Sequence, residues 1–293
     1  MIIVESPGLV KLDYGPMQMT IFASVGGEPQ TQMVNTAATF AMEILDELAT
    51  VRKVAGQQQS AIIASDAYPE ILNNMIEAVV CSGDTTLTPM AAVAGSIADM
   101  IADYLYVAGA TKVIVNNGGD IALRLAQHET VTVGIAPVIG GRPTHMIHVT
   151  AKDGIGGIAT SGLGGRSFTK GIATAAVVAA SRAAIADACA TSIANATYTP
   201  HPTIKVGLAG NIDPDSDIAN HLVIYEVGDV PADIAQLALA NGYRQAYDFY
   251  QRNLIVGVAL FICNWGVMLP DNFISPVADI KIEEGLLWKF EKS

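Results

Sequence analysis

The sequence predicts an α+β fold with helices packed on sheets. Three observations predict it. Apolar residues recur at both helical and strand periods along the chain. The strand-like runs come in groups with helices between them, without the clean alternation of a doubly wound sheet. No Pro-rich linker, low-complexity block or charge run divides the 293 residues. The length suits one large domain or two intimate ones.

Asn35–Val51 carries Phe40, Ile44, Leu45 and Leu48 at helical spacing. Pro69–Val80 reads as a second helix, with Pro69 near its first turn. Pro89–Ala108 is a long, Ala-rich helix ended by Gly109. Lys112–Asn116 is a short β run broken by Gly118 and Gly119. Val131–Ala136 and His145–Ala151 read as strands around the turn Gly140–Pro143. Gly171–Ala180 is apolar and partly β-branched, hence a strand, and Ala183–Ala196 a helix. Leu222–Val227 is a strand, Pro231–Gly242 a helix and Leu254–Cys263 a strand. Asn211–Asp217, rich in Asp, Pro and Ser, is the clearest surface loop.

Composition excludes several classes. Hydrophobic residues make up 51% and charged residues 15%, against roughly 25% charged in an ordinary domain. That excludes a disordered chain. The net charge of −12 argues against a nucleic-acid binder held by phosphate contacts. Three Cys are too few for a disulfide scaffold. So few charges point to extra buried surface, as in a homo-oligomer. Met1–Gly15 has no basic segment followed by a long apolar one, so a cytoplasmic protein is expected. The apolar run Leu254–Pro270 contains Asn264 and falls short of the ~20 residues of a membrane span. Its β-branched start and Gly266 favour a buried strand running into a turn, and no membrane is expected as a partner.

Three stretches could carry chemistry. In Asn116–Ile121 a strand meets Gly118, Gly119 and then Asp120. Glycines let a backbone approach a ligand, two adjacent N–H groups can hold a phosphate or flavin edge, and Asp120 can accept from a hydroxyl or amine. The same residues also fit a tight turn with a solvated Asp. Gly154–Gly165 contains Ala159-Thr160-Ser161-Gly162 and fits neither nucleotide fingerprint. Its small hydroxyl residues could line a cofactor phosphate, or it is a mobile surface loop. Arg166 and Lys170 flank it as cations for an anionic ligand, or as solvated surface charges. On the helix Ala183–Ala196, Asp187 and Thr191 are four apart and share a face. A carboxylate and a hydroxyl are hard oxygen donors that suit Mg²⁺, although such a pair is also common by chance.

Cys81 sits in a polar turn between two predicted helices, where a thiolate near a helix start could be nucleophilic. Cys189 and Cys263 lie in apolar runs and read as packing residues. His145 and His148, three apart on a strand, point to opposite faces and make a poor metal pair.

Taken in order, strand–GGDI at Val113–Ile121, ATSG at Ala159–Gly162, the apolar strand Ile172–Ala180 and Ala186–Thr191 resemble the ApbE superfamily of flavin transferases, which use FAD and magnesium. The chain more closely resembles the UPF0280 branch, through Asp13–Met19, Pro89–Asp99, Asn116–Ile121 and Asp213–Asp217. The resemblance runs from about Asp13 to Cys263. It implies a single ApbE-like domain over residues 1–293 with a tail at about 271–293, built on predominantly antiparallel sheets. It also implies a small anionic ligand, FAD or a related flavin nucleotide. Asp187 and Thr191 fall at the magnesium position. Asn117, Gly118, Gly119 and Asp120 fall in the flavin-nucleotide site, with Thr160, Ser161, Gly162 and Arg166 beside it. Asp120 and Cys81 are the candidate catalytic residues.

Two departures limit what carries over. Where the transferases usually have Lys-Gly before GGDI, this chain has Ala94-Gly95. Their His-containing stretch after ATSG is compressed here to Gly165–Gly171, with no His. The resemblance therefore implies ligand binding more directly than flavin transfer. A non-catalytic flavin carrier or maturation protein, and a hydrolase of a small amide or ring compound, are the alternatives.

Overall fold

The structure is a computed structural model and describes residues 1–165, 167–214, 216 and 218–277. The first elements are β1 (Ile2–Ser6), β2 (Leu9–Tyr14), β3 (Met17–Val25), β4 (Glu28–Pro29), α1 (Thr31–Thr50), the single turn α2 (Arg52–Ala55) and α3 (Glu70–Ser82). Next come α4 (Val93–Val107), β5 (Lys112–Asn117), β6 (Asp120–Leu125), β7 (Thr130–Ile135), β8 (His145–Thr150), β9 (Gly157–Ser161), β10 (Ala175–Ala180) and α5 (Ala183–Ala196). The described chain closes with β11 (Ile204–Leu208), the short α6 (Ala209–Ile212), β12 (Leu222–Val227), α7 (Ala232–Gln251), β13 (Gly257–Ile262), β14 (Trp265–Leu269) and β15 (Ser275–Pro276). The fold is α+β, as expected.

The chain divides into two compact units. The first comprises Met1–Thr130, Thr150–Ala159 and Ala179–Ala188; the second comprises Val131–Val149, Thr160–Val178 and the residues from Cys189 onward.

In the first unit, β1, β2, β3, β5, β6 and β9 are neighbours in that order, and the pairings along this path are antiparallel. Strand β3 alternates buried Met17, Met19 and Ile21 with more exposed residues, as a half-buried strand should. Helices α1 and α4 pack on this sheet. The core joins Val10, Leu12 and Ile21 of the strands to Ile44 of α1 and Ile97, Ile101 and Leu105 of α4. The expected long helix from Pro89 has a 3₁₀ turn over Pro89–Ala92 before α4 begins. Gly109, at φ 103°, lies just beyond its end, with Ala110 N–H returning to the Leu105 carbonyl.

In the second unit, β10 neighbours β13, and β13 forms an antiparallel hairpin with β14 that α7 covers. The apolar run Leu254–Pro270 is thus this hairpin and its approach. Strands β15, β8 and β7 form one small sheet, and β11 pairs with β12.

Four sequence expectations need correction. The strand expected from Gly171 begins at Ala175. Thr197 explains the delay, because its Oγ1 accepts the N–H groups of Ile172 and Ala173 at 2.8 and 3.0 Å. The helix expected to end at Gly242 continues to Gln251. Gly242 is a packing glycine, since a Cβ there would lie 2.6 Å from Leu260 and 2.8 Å from Thr197. The stretch offered as a mobile loop contains β9, whose Gly157 touches α5: a Cβ on it would meet Ala183 Cα at 2.2 Å. Cys263 is exposed at the β13–β14 turn, with φ 52°, and is no packing residue.

Candidate functional site

The densest polar constellation of the first unit lies where α4 and α5 begin. Helix α4 follows Ala92, which as its N-cap offers no capping side chain. Asp187 of α5 supplies the cap, its Oδ2 accepting the Gly95 N–H at 3.0 Å. Asp99 of α4 does the same for α5: Oδ1 accepts Ala183 N–H at 3.1 Å and Oδ2 accepts Ala184 N–H at 2.9 Å. Each helix thus sends one carboxylate to the start of the other, where orphan amides and the helix dipole favour an anion. Gly95 permits this approach, because a Cβ on it would lie 2.3 Å from the Ala183 carbonyl oxygen. That explains why the glycine of the Ala94-Gly95 pair is present although the lysine is not.

The two acids differ in their surroundings. Asp99 is fully buried and meets two cations, Arg124 at 3.0 Å and Arg182 at 3.7 Å. Arg124 also reaches Asp103 at 2.6 Å and the Gly156 carbonyl at 3.1 Å. Burial pulls the Arg124 pKa down, but Asp103 and Asp99 outweigh it and the net direction is upward. Asp187 is partly buried, and its carboxyl is held well above the usual carboxylate range. Desolvation is the main cause, and the nearby charges of Asp120 and Asp99 add to it; the amides of Gly95 and Ala94 oppose it. Among the described residues, no cluster of three or more His, Cys, Asp or Glu forms a ready-made metal cage.

Gly118 and Gly119 form the two-residue loop of the β5–β6 hairpin, in which Asn117 pairs with Asp120. Both have positive φ, 68° and 117°, as such tight hairpins require. Their amides are not available to a ligand, contrary to expectation. Gly118 N–H donates to the Gln18 carbonyl at 3.0 Å and Gly119 N–H to Asn116 Oδ1 at 2.9 Å. The side of Gly119 where a Cβ would sit is open, with nothing within 4 Å. Asn117 is buried and donates through Nδ2 to the Ala94 carbonyl at 3.2 Å. It therefore fixes the hairpin to the start of α4, next to Asp187.

In the second unit, Gly162–Gly165, Ser167–Thr169 and Ile224–Val227 of β12 line a cleft of about 350 Å³. Phe168 and Tyr225 are its aromatic lining. Gly162, at φ 147°, is the last residue of ATSG and packs against the Ala173 carbonyl. Thr160 and Ser161 close β9 and are partly buried. The imidazole of His221 has its pKa lowered by burial and by the charge of Lys170. Thr191 lies one turn after Asp187 on α5 and is partly buried. Arg166 lies outside the described residues, as do Asp215, Asp217 and residues 278–293.

Cys81 is exposed in the last turn of α3, not in an interhelical turn. The helix ends at Gly83 in the left-handed conformation, φ 75°. A helix end presents carbonyl groups and lacks the N–H groups of the helix start that motivated the candidate.

Sequence reasoning placed Asp187, Asp120 and the glycine pair together through the ordered motifs. It gave no role to Asp99 or Arg124. Their partners lie as far as 85 and 32 residues away, so no local spacing reveals them.

Comparison with known proteins agrees with the motifs. The family model described as AbpE bacteria matches residues 3–269, so the chain is of the ApbE type. The UPF0280 protein of Methanococcoides burtonii is 37% identical over 160 residues, 54% of this chain and 62% of that protein. That of Methanocella arvoryzae is 34% identical over 167 residues, 50% and 64% of the two chains. That of Methanosarcina barkeri is 31% identical over 179 residues, 56% and 70%. The match to the first two spans less than two thirds of their own length. Among solved structures, the apo form of Pseudomonas stutzeri flavinyl transferase ApbE has a TM-score of 0.46 at 11% identity, covering 92% of this chain and 94% of that one. Flavin transferase ApbE from Vibrio cholerae has a TM-score of 0.43 at 12% identity, covering 63% and 85%. The chain belongs to the AbpE bacteria family and, within it, to the UPF0280 proteins.

Proposed function

We propose that this protein binds a flavin nucleotide, FAD or a relative of it, together with Mg²⁺. The observation that carries the reading is the placement of the Asp187 carboxylate at the start of α4, 3.0 Å from the Gly95 amide, with Asp120 and Asp99 nearby. A partly desolvated carboxylate with Asp120 and Asp99 nearby is held in place by neutral amides. A divalent cation would favour the ionised carboxylate, and a carboxylate with a hydroxyl one turn on is a hard oxygen donor set that fits one. Asp187 and Thr191 would hold the ion, and two protein ligands leave room for water and ligand phosphate. Magnesium bound there would supply positive charge to a diphosphate. Gly119 offers an open backbone surface for a ligand to approach. Asp120 accepts from a ligand hydroxyl or amine. The flavin part of the reading rests on the ordered motifs and on family membership.

Binding without transfer is the second reading, favoured by Ala94 where the transferases carry lysine and by the missing histidine. In that case the protein is a flavin carrier or maturation partner. The test is a titration of wild type and Asp187→Ala with FAD and FMN, in Mg²⁺ and in EDTA. Wild type should bind at least tenfold more tightly in Mg²⁺, and Asp187→Ala should lose that difference. For both nucleotides, equal affinities of wild type and Asp187→Ala in Mg²⁺ and in EDTA would overturn the proposal.

A further inference from the structure

We infer that Asp99 is a positioning residue for Asp187, acting through the start of α5, and that Arg124 holds Asp99 in place. The inference deepens the proposed magnesium site and rests on that reading for its functional consequence.

The geometry is a closed ring of two helix starts. Asp99 lies one turn after Gly95 on α4, and Asp187 one turn after Ala183 on α5. Asp99 takes the Ala183 amide, and Asp187 takes the Gly95 amide. Residues four apart on a helix share a face, so each carboxylate sits above the amide that the other acid binds. Fixing Ala183 and Ala184 fixes the first turn of α5. The position of Asp187, one turn on, follows from it. Gly95 and Gly157 let backbone reach Ala183 from two sides, since a Cβ on either would fall 2.2–2.3 Å from it.

Asp99 is not itself a ligand. An ionised carboxylate has about four acceptor positions. Asp99 Oδ1 takes Arg124 Nη2 and Ala183 N–H, and Oδ2 takes Ala184 N–H and faces Arg182 Nε. With two partners on each oxygen and full burial, it has no position left for a metal. Arg124 spans Asp99, Asp103 and the carbonyls of Leu123 and Gly156. It thereby ties the ring to β6, the strand that begins with Asp120.

The test is the Asp99→Asn variant, with two readouts. The first is amide exchange at Gly95 by NMR in the protein without ligand. Asp99 makes no bond to that amide. Exchange there should nevertheless rise about tenfold, as Asp187 loses its position, while the amides of β3 exchange as in wild type. The second is FAD affinity, which should fall about tenfold in Mg²⁺ and stay unchanged in EDTA. Should Asp99→Asn fail to fold, Arg124→Lys keeps the charge but loses the fork and should show the same pattern at smaller size. Unchanged Gly95 exchange in a folded variant, or a rise shared equally by β3, would overturn the inference. If wild type shows no Mg²⁺-dependent flavin binding, the proposed function fails, and the Gly95 exchange still decides whether Asp99 positions Asp187.

Discussion

The starts of α4 and α5 are built alike and charged differently. Each is capped by an aspartate from the other helix, and each cap takes backbone amides near 3 Å. At the start of α5, Asp99 is buried among two arginines and two amides. At the start of α4, Asp187 meets amides but also the charges of Asp120 and Asp99. One carboxylate is balanced within the chain. For the other, desolvation and the neighbouring carboxylates disfavour the ionised form. The difference separates an acid balanced within the fold from one whose ionised form the fold disfavours.

Substitutions can break this comparison at either end. The largest effect is expected from Asp99→Ala, which leaves Arg124 and two helix amides without their acceptor. Breaking a buried pair from one side should cost about 3 kcal/mol, read as a lower denaturation midpoint in urea. A cost below about 1 kcal/mol would show that water or Asp103 replaces Asp99.

Gly95→Ala comes next. The added methyl meets the Ala183 carbonyl at 2.3 Å, and backbone must move. A loss of about 2 kcal/mol is expected, with Mg²⁺-dependent affinity falling in parallel. Gly119→Ala contrasts with it. Space is open there, but φ is 117°, so a loss of about 1.5 kcal/mol should come from backbone strain. If Gly119→Ala proves neutral in thermal unfolding, the hairpin can relax away from that conformation.

The smallest effect has the opposite sign. Asp187→Asn removes a charge that the unliganded protein disfavours, and should raise its stability by about 0.5 kcal/mol at neutral pH. The sign follows from linkage. The folded pKa of Asp187 lies above its unfolded value. Ionisation therefore penalises the folded state above the unfolded pKa, and the penalty disappears as pH falls below that value. The advantage of Asp187→Asn should accordingly fade as pH falls from the raised folded pKa to the ordinary carboxylate value. An advantage independent of pH would assign it to another cause.

Much of the fold was legible because periodicity and punctuation agreed. Helices α1, α3 and α5 and strands β5, β12 and β13 lie where apolar spacing, Pro and Gly placed them. What was not legible depends on distant partners. Gly157 looked like loop chemistry because the glycine that fits Ala183 leaves no strand side chain. Gly242 looked like a helix end because its contact with Leu260 cannot be seen locally. The turn Gly15–Pro16 between β2 and β3 lies inside a motif quoted for resemblance, yet signalled no hairpin by periodicity. In the site, the glycine pair and Asp187 stood out as motifs. Their hydrogen bonds did not: both glycine amides are engaged within the fold, and Asp99 acts across 84 residues.

The central claim is that Asp187 is a carboxylate whose ionised form is disfavoured until a cation binds. Thermal unfolding of wild type and Asp187→Asn, each alone and with Mg²⁺ and FAD together, tests it most directly. A ligand that binds the folded state raises its stability. The account predicts a reversal of order: Asp187→Asn unfolds at higher temperature than wild type without ligand, and at lower temperature with Mg²⁺ and FAD. The same order in both conditions, with wild type unmoved by Mg²⁺ and FAD, would contradict it.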